Sequence, residues 1–400
     1  MRAALPLEEA QRRLTALATP LGAEAVPVGE ALGRYLAESV VARRTQPAAD
    51  LSAMDGYAVG DLDAGHWHVV GESAAGHPYA LPLQPGEAVR ISTGALMPTG
   101  SGGVLLEEEA IRQEAELSAA PGAAPAARHI RRRGFDFHQG DSVLEAGLRI
   151  GPAQLALAIT AGHGARSLRV GRRPRLAVID SGDELARAAD AWEDHRLPAS
   201  NGAMIAAMAA PFASSVDRLG PVPDRLEALT EALEATSGAD VVVTSGGASI
   251  GDHDLIRPAL AAWGAEIDFW RVAIKPGKPL LVARKGETFI LGLPGNPVSS
   301  YVTAFLFLLP LLRRLAGAAA PAPRTLRLPL RRGVSVGGQR LELIRAHITD
   351  GGVAPIGDQD SSALRALALS DALIRREIDA PPAQAGELAT VYPLENGGIA

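Results

Sequence analysis

The stretch VVVTSGGASIGDHDLI, residues 241–256, begins as a strand and ends as a polar loop. Val241, Val242 and Val243 are β-branched and apolar without alternation, the pattern of a strand covered on both faces. Ser245, Gly246 and Gly247 follow, then Gly251, Asp252 and Asp254. Glycines after a strand let backbone N–H groups approach an anion, whereas carboxylates repel one. A Mg2+ ion reconciles the two, because it takes one or two carboxylates together with phosphate oxygens. The plainer alternative is a glycine turn whose Asp252 and Asp254 cap the next helix. Glu184, expected at the same sheet edge, weighs toward the metal.

Working outward, residues 170–316 alternate strand and helix. RLAVID (175–180), DVVVTS (240–245) and ETFILGL (287–293) read as strands. GAMIAAMAAPFA (202–213), DRLEALTEALEAT (224–236), DHDLIRPALAAWG (252–264, closed by Gly264) and the run from Val298 to Leu315 read as helices. Such alternation gives a parallel sheet with right-handed crossovers. The polar segments SGDE (181–184), SGGASIGDHD (245–254) and PGNPVSS (294–300) each follow a strand. All three are therefore expected at the carboxyl edge of one sheet, where doubly wound folds bind ligands.

Residues 46–140 are rich in Gly and Pro, with short apolar runs between turns, and predict a β-rich domain. Residues 141–169 carry the helical pattern GPAQLALAITAGH. GAAAPAPR (317–324) reads as a linker, after which TLRLPL and LELIRAHI alternate, so the last part predicts a small β-barrel or sandwich.

At 400 residues the chain needs several cores. It has 0 Cys, which excludes disulfides, thiolate zinc sites, Fe–S clusters and a Cys nucleophile. A net charge of −6 argues against a general nucleic-acid binder. The N-terminus lacks the apolar stretch of a signal peptide, and VSSYVTAFLFLLPLL (298–312) is read as too short for a bilayer. A soluble cytoplasmic protein without a membrane partner is expected. No HExxH motif, Cys/His set or GxSxG elbow occurs.

Cation usage is more specific. Lys and Arg total 39, yet only Lys275, Lys278 and Lys285 are lysines. Two of them share IKPGKP (274–279), a tight turn in which two ammoniums repel and an anion between them relieves the strain. An exposed turn with solvated lysines is the alternative. Pro297 opens a helix whose first turn holds Ser299 and Ser300, which is either plain helix initiation or an anion site. In the β-rich part, Asp55 lies in LSAMDGYAV, Thr93 in RISTGALMPTG and Asp136 in RRRGFDFHQGD, each weak alone.

Taken together and in order, SAMDGYAV, RISTGALMP, RRRGFDF, DSGDEL, TSGGASIGDHD, AIKPGKP and LPGNPVSSYVTAF resemble the MoeA family, the molybdopterin molybdenumtransferases, to which the C-terminal domain of gephyrin is related. The resemblance spans nearly the whole chain. It implies a multidomain α/β plus β fold in an elongated homodimer. Its parts are a three-layer α/β molybdopterin-binding domain with a parallel sheet (1–22 and 170–316), an elongated connecting region (23–45 and 141–169), a β-rich lobe (46–140) and a C-terminal β-barrel (321–400). It implies Mg2+-assisted insertion of molybdate into adenylylated molybdopterin with release of AMP, and contact with the adenylyltransferase of the pathway.

By resemblance, Asp55, Thr93, Asp136, Glu184, Asp224 and Asp254 take catalytic positions, with Glu184 and Asp254 on the metal. Lys275, Lys278, Ser299, Arg345 and Ser361 match a molybdate pocket. Arg131, Ser245, Gly246, Gly247, Pro294 and Pro297 match the molybdopterin and nucleotide site. The chain departs from the family at Ser181, where Thr is usual, at PASNGAMI, which lacks an Asp before the helix, and at Phe135, where an acid is common. The alternatives are a molybdopterin adenylyltransferase, a phosphate-ester hydrolase using the same metal, and a non-catalytic dimeric scaffold.

Overall fold

Three apolar runs, Arg175–Ser181, Val241–Ser245 and Thr288–Leu293, lie side by side as parallel strands. The computed structural model that shows this describes residues 4–186, 195–246 and 255–394. Side-chain alternation explains the continuous valines. Val241 and Val243 enter one core while Val242 enters the other. The helices Leu7–Leu17, Asn201–Ala209 and Pro297–Leu315 cover the first face, and Leu226–Ala235 and Ile256–Trp263 cover the second. Gly264, at φ 84°, ends the last of these in the left-handed conformation its missing Cβ permits.

The sheet is larger and less uniform than the sequence predicts. Ser215–Val222 adds a parallel strand beyond Arg175–Ser181. On the other side Leu281–Lys285 and Glu266–Trp270 are added by antiparallel pairing. The result is a mixed six-stranded sheet rather than a wholly parallel one.

The helix Pro297–Leu315 is 19 residues long, so by length and composition it is able to cross a membrane, contrary to the sequence reading. Its placement gives the physical answer: 89% of its apolar window is buried inside the fold. Pro310 lacks an N–H and leaves the carbonyl of Leu306 without its helical donor. The chain takes a π turn at Ala304–Leu308, and the Gln11 side chain donates to that carbonyl at 2.9 Å. The N-terminal helix is thus tied to the core helix by a bond that Pro310 makes necessary.

The remaining parts are built from strands. In the connecting region Ala23–Pro27 pairs with Ser167–Gly171 over a core of Val26, Leu36, Ile150 and Val170. The β-rich lobe is a six-stranded mixed sheet from Gly56–Val59 to Glu116–Ala119. In the C-terminal part, Leu326–Pro329, Leu388–Pro393, Ala372–Arg376, Leu341–Thr349 and Gly352–Pro355 pair in succession, and a bridge from Leu330 to Val353 closes the ring. The short strand Ile274–Lys275, from the α/β part, pairs onto this barrel at Leu341 and Glu342.

Candidate active site

The ends of the central strands are level, with Asp180 opposite Ser245 and Ser245 opposite Leu293. The loops that follow therefore converge at the carboxyl edge. Gly246 N–H donates to Leu293 O at 3.3 Å, Gly182 N–H to Val222 O at 3.1 Å, and Asn201 Nδ2 to Gly295 O at 2.6 Å. Asp224 N–H donates to Asp183 Oδ1 at 3.1 Å. The approach is close enough to demand glycine. At φ 100°, Gly246 has no room for a Cβ, which would meet Ser181 O at 2.4 Å.

Asp180 is buried behind this edge and accepts the Gly202 N–H at 2.9 Å. Burial pushes its carboxyl above the ordinary range, while the Gly202 bond and Arg218 pull it back. A Cβ on Gly202 would lie 2.1 Å from Asp180 Oδ2. Gly202→Ala should therefore destabilise the chain by about 2–3 kcal/mol through overpacking, despite the better helix propensity of alanine. A urea melt checks this, and an unchanged midpoint would mean that the contact relaxes freely.

The edge also holds buried hydroxyls with nothing to bond. Ser181 Oγ, Ser245 Oγ and Ser300 Oγ are inaccessible to solvent and have no hydrogen-bond partner among the described residues. Buried polar groups are almost always paired, so these hydroxyls, together with Thr244 Oγ1 on the same strand as Ser245, call for a water or a polar ligand atom. Glu184 is exposed beside them, its carboxylate folded over Gly182. Among the described residues no three carboxylate or imidazole groups form a ready metal cage. Asp183 is exposed next to Glu184 and is tied to Asp224 by that residue's backbone N–H. Gly247 and Asp254 lie outside the described residues.

The lysine turn adjoins the core helix. Gly277 has φ 104°, and a Cβ there would meet Thr303 Cγ2 at 2.7 Å. Thr303 Oγ1 in turn donates to Ser299 O at 2.7 Å. Lys278 is exposed. Lys275 Nζ instead donates to Glu342 Oε1 at 2.9 Å, a carboxylate brought by the barrel strand opposite it. Pro297 begins the helix as expected, after the buried Pro294.

The barrel reaches the same helix end. Val298 N–H donates to Ser361 O at 3.2 Å, and Asn296 Nδ2 donates to Ser361 Oγ at 2.8 Å. Arg345 is 1% exposed and donates to Asp360 O at 2.9 Å and Ala363 O at 3.3 Å. It holds the Ser361 loop rather than opening onto the surface. Ser361 thus covers the helix terminus that carries Ser299, Arg345 braces the Ser361 loop, and the lysine turn abuts Thr303 further along the same helix. Sequence reasoning did not name Glu342, Asp183 or Asn296. Asn296 stood in the quoted PGNP segment, whereas Glu342 is reached only through strand register.

A second group lies on the β-rich lobe. Thr93 N–H donates to Asp55 Oδ1 at 2.6 Å across 38 residues of sequence. Arg131 is exposed on a strand paired with Leu51–Ser52, the strand that leads into Asp55. Asp136 is exposed on the next loop, its N–H donating to Gln46 O at 3.0 Å. No strand pairing among the described residues joins this lobe to the α/β sheet.

Comparison with known proteins covers both parts of the chain. The family model described as "Probable molybdopterin binding domain" matches residues 177–314, the part that carries the sheet edge. Models of the "MoeA N-terminal region (domain I and II)" and "MoeA C-terminal region (domain IV)" match residues 5–162 and 327–394. The class is that of multidomain proteins arranged around such a domain. The molybdopterin molybdenumtransferase of Haemophilus influenzae is 32% identical over 98% of this chain and 99% of its own. That of Nostoc sp. is 35% identical over 74% of this chain and 70% of its own. The crystal structure of the molybdopterin biosynthesis MoeA protein from Pyrococcus horikoshii shares the fold, with a TM-score of 0.82 at 24% identity over 98% and 100% of the two chains. The chain belongs to the MoeA family, the molybdopterin molybdenumtransferases, transferases of molybdenum cofactor biosynthesis.

Proposed function

We propose that this chain inserts molybdate into adenylylated molybdopterin and releases AMP, acting as a cytoplasmic homodimer. The observation that carries the reading is the set of orphaned hydroxyls of Ser181, Ser245 and Ser300, beside the Glu184 carboxylate and near a lysine turn. The hydroxyls donate to the phosphates of the substrate. Glu184, with Asp183 and Asp224 next to it and Asp254 by sequence alone, would hold a Mg2+ ion that neutralises charge on those phosphates. Lys275 and Lys278 attract the molybdate dianion, and Ser299 and Ser361 line the helix end where it rests. Asp55, Thr93, Arg131 and Asp136 stand on another lobe, and we assign them to the site of the second copy. The adenylyltransferase of the pathway is the partner that would deliver the substrate.

Incubation with adenylylated molybdopterin, Mg2+ and molybdate tests this, with AMP and active cofactor as readouts. AMP formation that ignores molybdate would overturn it. The ion pair between Lys275 and Glu342 gives a further prediction. Glu342→Gln should tighten molybdate binding about two- to fivefold, because a pair exposed on its lysine side competes by no more than about 1 kcal/mol. Isothermal titration with molybdate measures the change.

A further inference from the structure

We propose that an arginine-rich junction between the connecting region and the α/β part binds a small tetrahedral oxyanion of the phosphate class. It lies at the amino-terminal edge of the sheet, opposite the edge described above. Arg173 precedes the strand Arg175–Ser181, and Phe212 precedes the strand Ser215–Val222.

Three guanidiniums converge there. The point above Gly33 that a Cβ would occupy is 3.6 Å from Arg173 Nη2 and 3.7 Å from Arg149 Nη2. Arg34 joins them in a narrow recess walled by Tyr35, Arg173, Pro211 and Phe212. Arg149 and Arg313 each stack on the Phe212 ring, with guanidinium carbons 5.3 and 4.7 Å from its centroid. Against this charge stands Glu24, already paired with Arg34. The neighbouring Asp240 is engaged by Arg172 and Arg175.

Two donors are left over. Arg173 makes no hydrogen bond or ion pair among the described residues. Arg34 Nε is buried without a partner, although Arg34 Nη2 donates to Gly171 O at 2.8 Å. Burial, Arg34 and Arg149 all lower the pKa of Arg173 from its ordinary value, the mark of a cation packed among cations. Planar guanidiniums recognise tetrahedral oxyanions bidentately, and an anion would relieve repulsion that Glu24 offsets only in part. The recess itself leaves no room for a water molecule, so the anion sits at its mouth, against the exposed guanidinium of Arg149 and the half-buried one of Arg173.

The test uses the full chain carrying Lys275→Ala and Lys278→Ala, so that the lysine turn adds no signal. Inorganic phosphate is titrated calorimetrically, with AMP and molybdate in parallel arms to separate a nucleotide phosphate from a free oxyanion. Phosphate binding should persist in this background and weaken at least tenfold with Arg173→Gln or Arg149→Gln. In phosphate-free buffer Arg173→Gln should melt at the same temperature or higher, since it removes repulsion. Unchanged phosphate affinity in Arg173→Gln would overturn the proposal. So would a lower melting temperature with no effect of phosphate, which marks a purely structural arginine. A dimer that dissociates in this variant without change in phosphate affinity would assign the cluster to a carboxylate of the second copy instead.

Discussion

Arg345→Met should cost about 3 kcal/mol of stability and at least tenfold in molybdate-dependent turnover. The guanidinium is enclosed by the barrel and donates to the carbonyls of Asp360 and Ala363. Its backbone is held as well: Arg345 N–H donates to Gln359 Oε1 at 2.9 Å and Gln359 Nε2 donates to Arg345 O at 3.0 Å. Burial lowers the pKa of the group, and Asp358 and Asp360 pull it back up. Methionine keeps the volume of the stem but donates nothing. Two hydrogen bonds from a charged donor, each about 1.5–3 kcal/mol, are lost, less whatever water recovers. The loop that loosens carries Ser361, which meets the core helix through Val298 and Asn296. Activity should therefore fall further than the loss of folded protein explains. A urea melt and an AMP-release assay read the two effects separately. Unchanged values of both would mean that the loop is held by something else.

Replacing both Lys275 and Lys278 by alanine should reduce molybdate-dependent AMP release by a factor of about 100 or more, the scale of losing a preorganised charged donor from a reaction site. Stability should hardly change. The Lys275–Glu342 pair is exposed on the lysine side, and such pairs contribute at most about 1 kcal/mol. The backbone pairing of Ile274–Lys275 with the barrel does not depend on the side chains. Arginine at both positions should restore part of the rate, because charge returns without the compact ammonium. A double alanine variant working at the wild-type rate would place the molybdate site elsewhere.

Much of the fold is legible in the sequence because the central strands are unmixed apolar runs. Val241–Val243 and Phe289–Leu291 announce themselves without reference to any neighbour. Ser215–Val222 does not, being half exposed at the sheet edge and interrupted by Gly220 and Pro221. Leu281–Lys285 and Glu266–Trp270 join by antiparallel pairing, which a strand–helix alternation cannot anticipate. At the candidate site, the scarcity of lysine singled out Lys275 and Lys278. Their chemistry was only half visible, since the carboxylate that meets Lys275 lies 67 residues away and arrives by register between two domains. The contact between Thr93 and Asp55 is hidden because two turns 38 residues apart meet within one lobe. Arg345 could be named by resemblance, but that it grips a loop rather than facing outward depends on the barrel around it.

The strand Ile274–Lys275 leaves the α/β part to complete a barrel built otherwise from residues beyond 320. The segment 317–324 therefore does not act as a free hinge, because two further ties, Ile274–Lys275 to Leu341–Glu342 and Val298 to Ser361, span the same boundary. A chain cut at 320 would not be an enzyme minus an accessory module. It would carry a raw backbone edge at Ile274 and a helix terminus stripped of its cover.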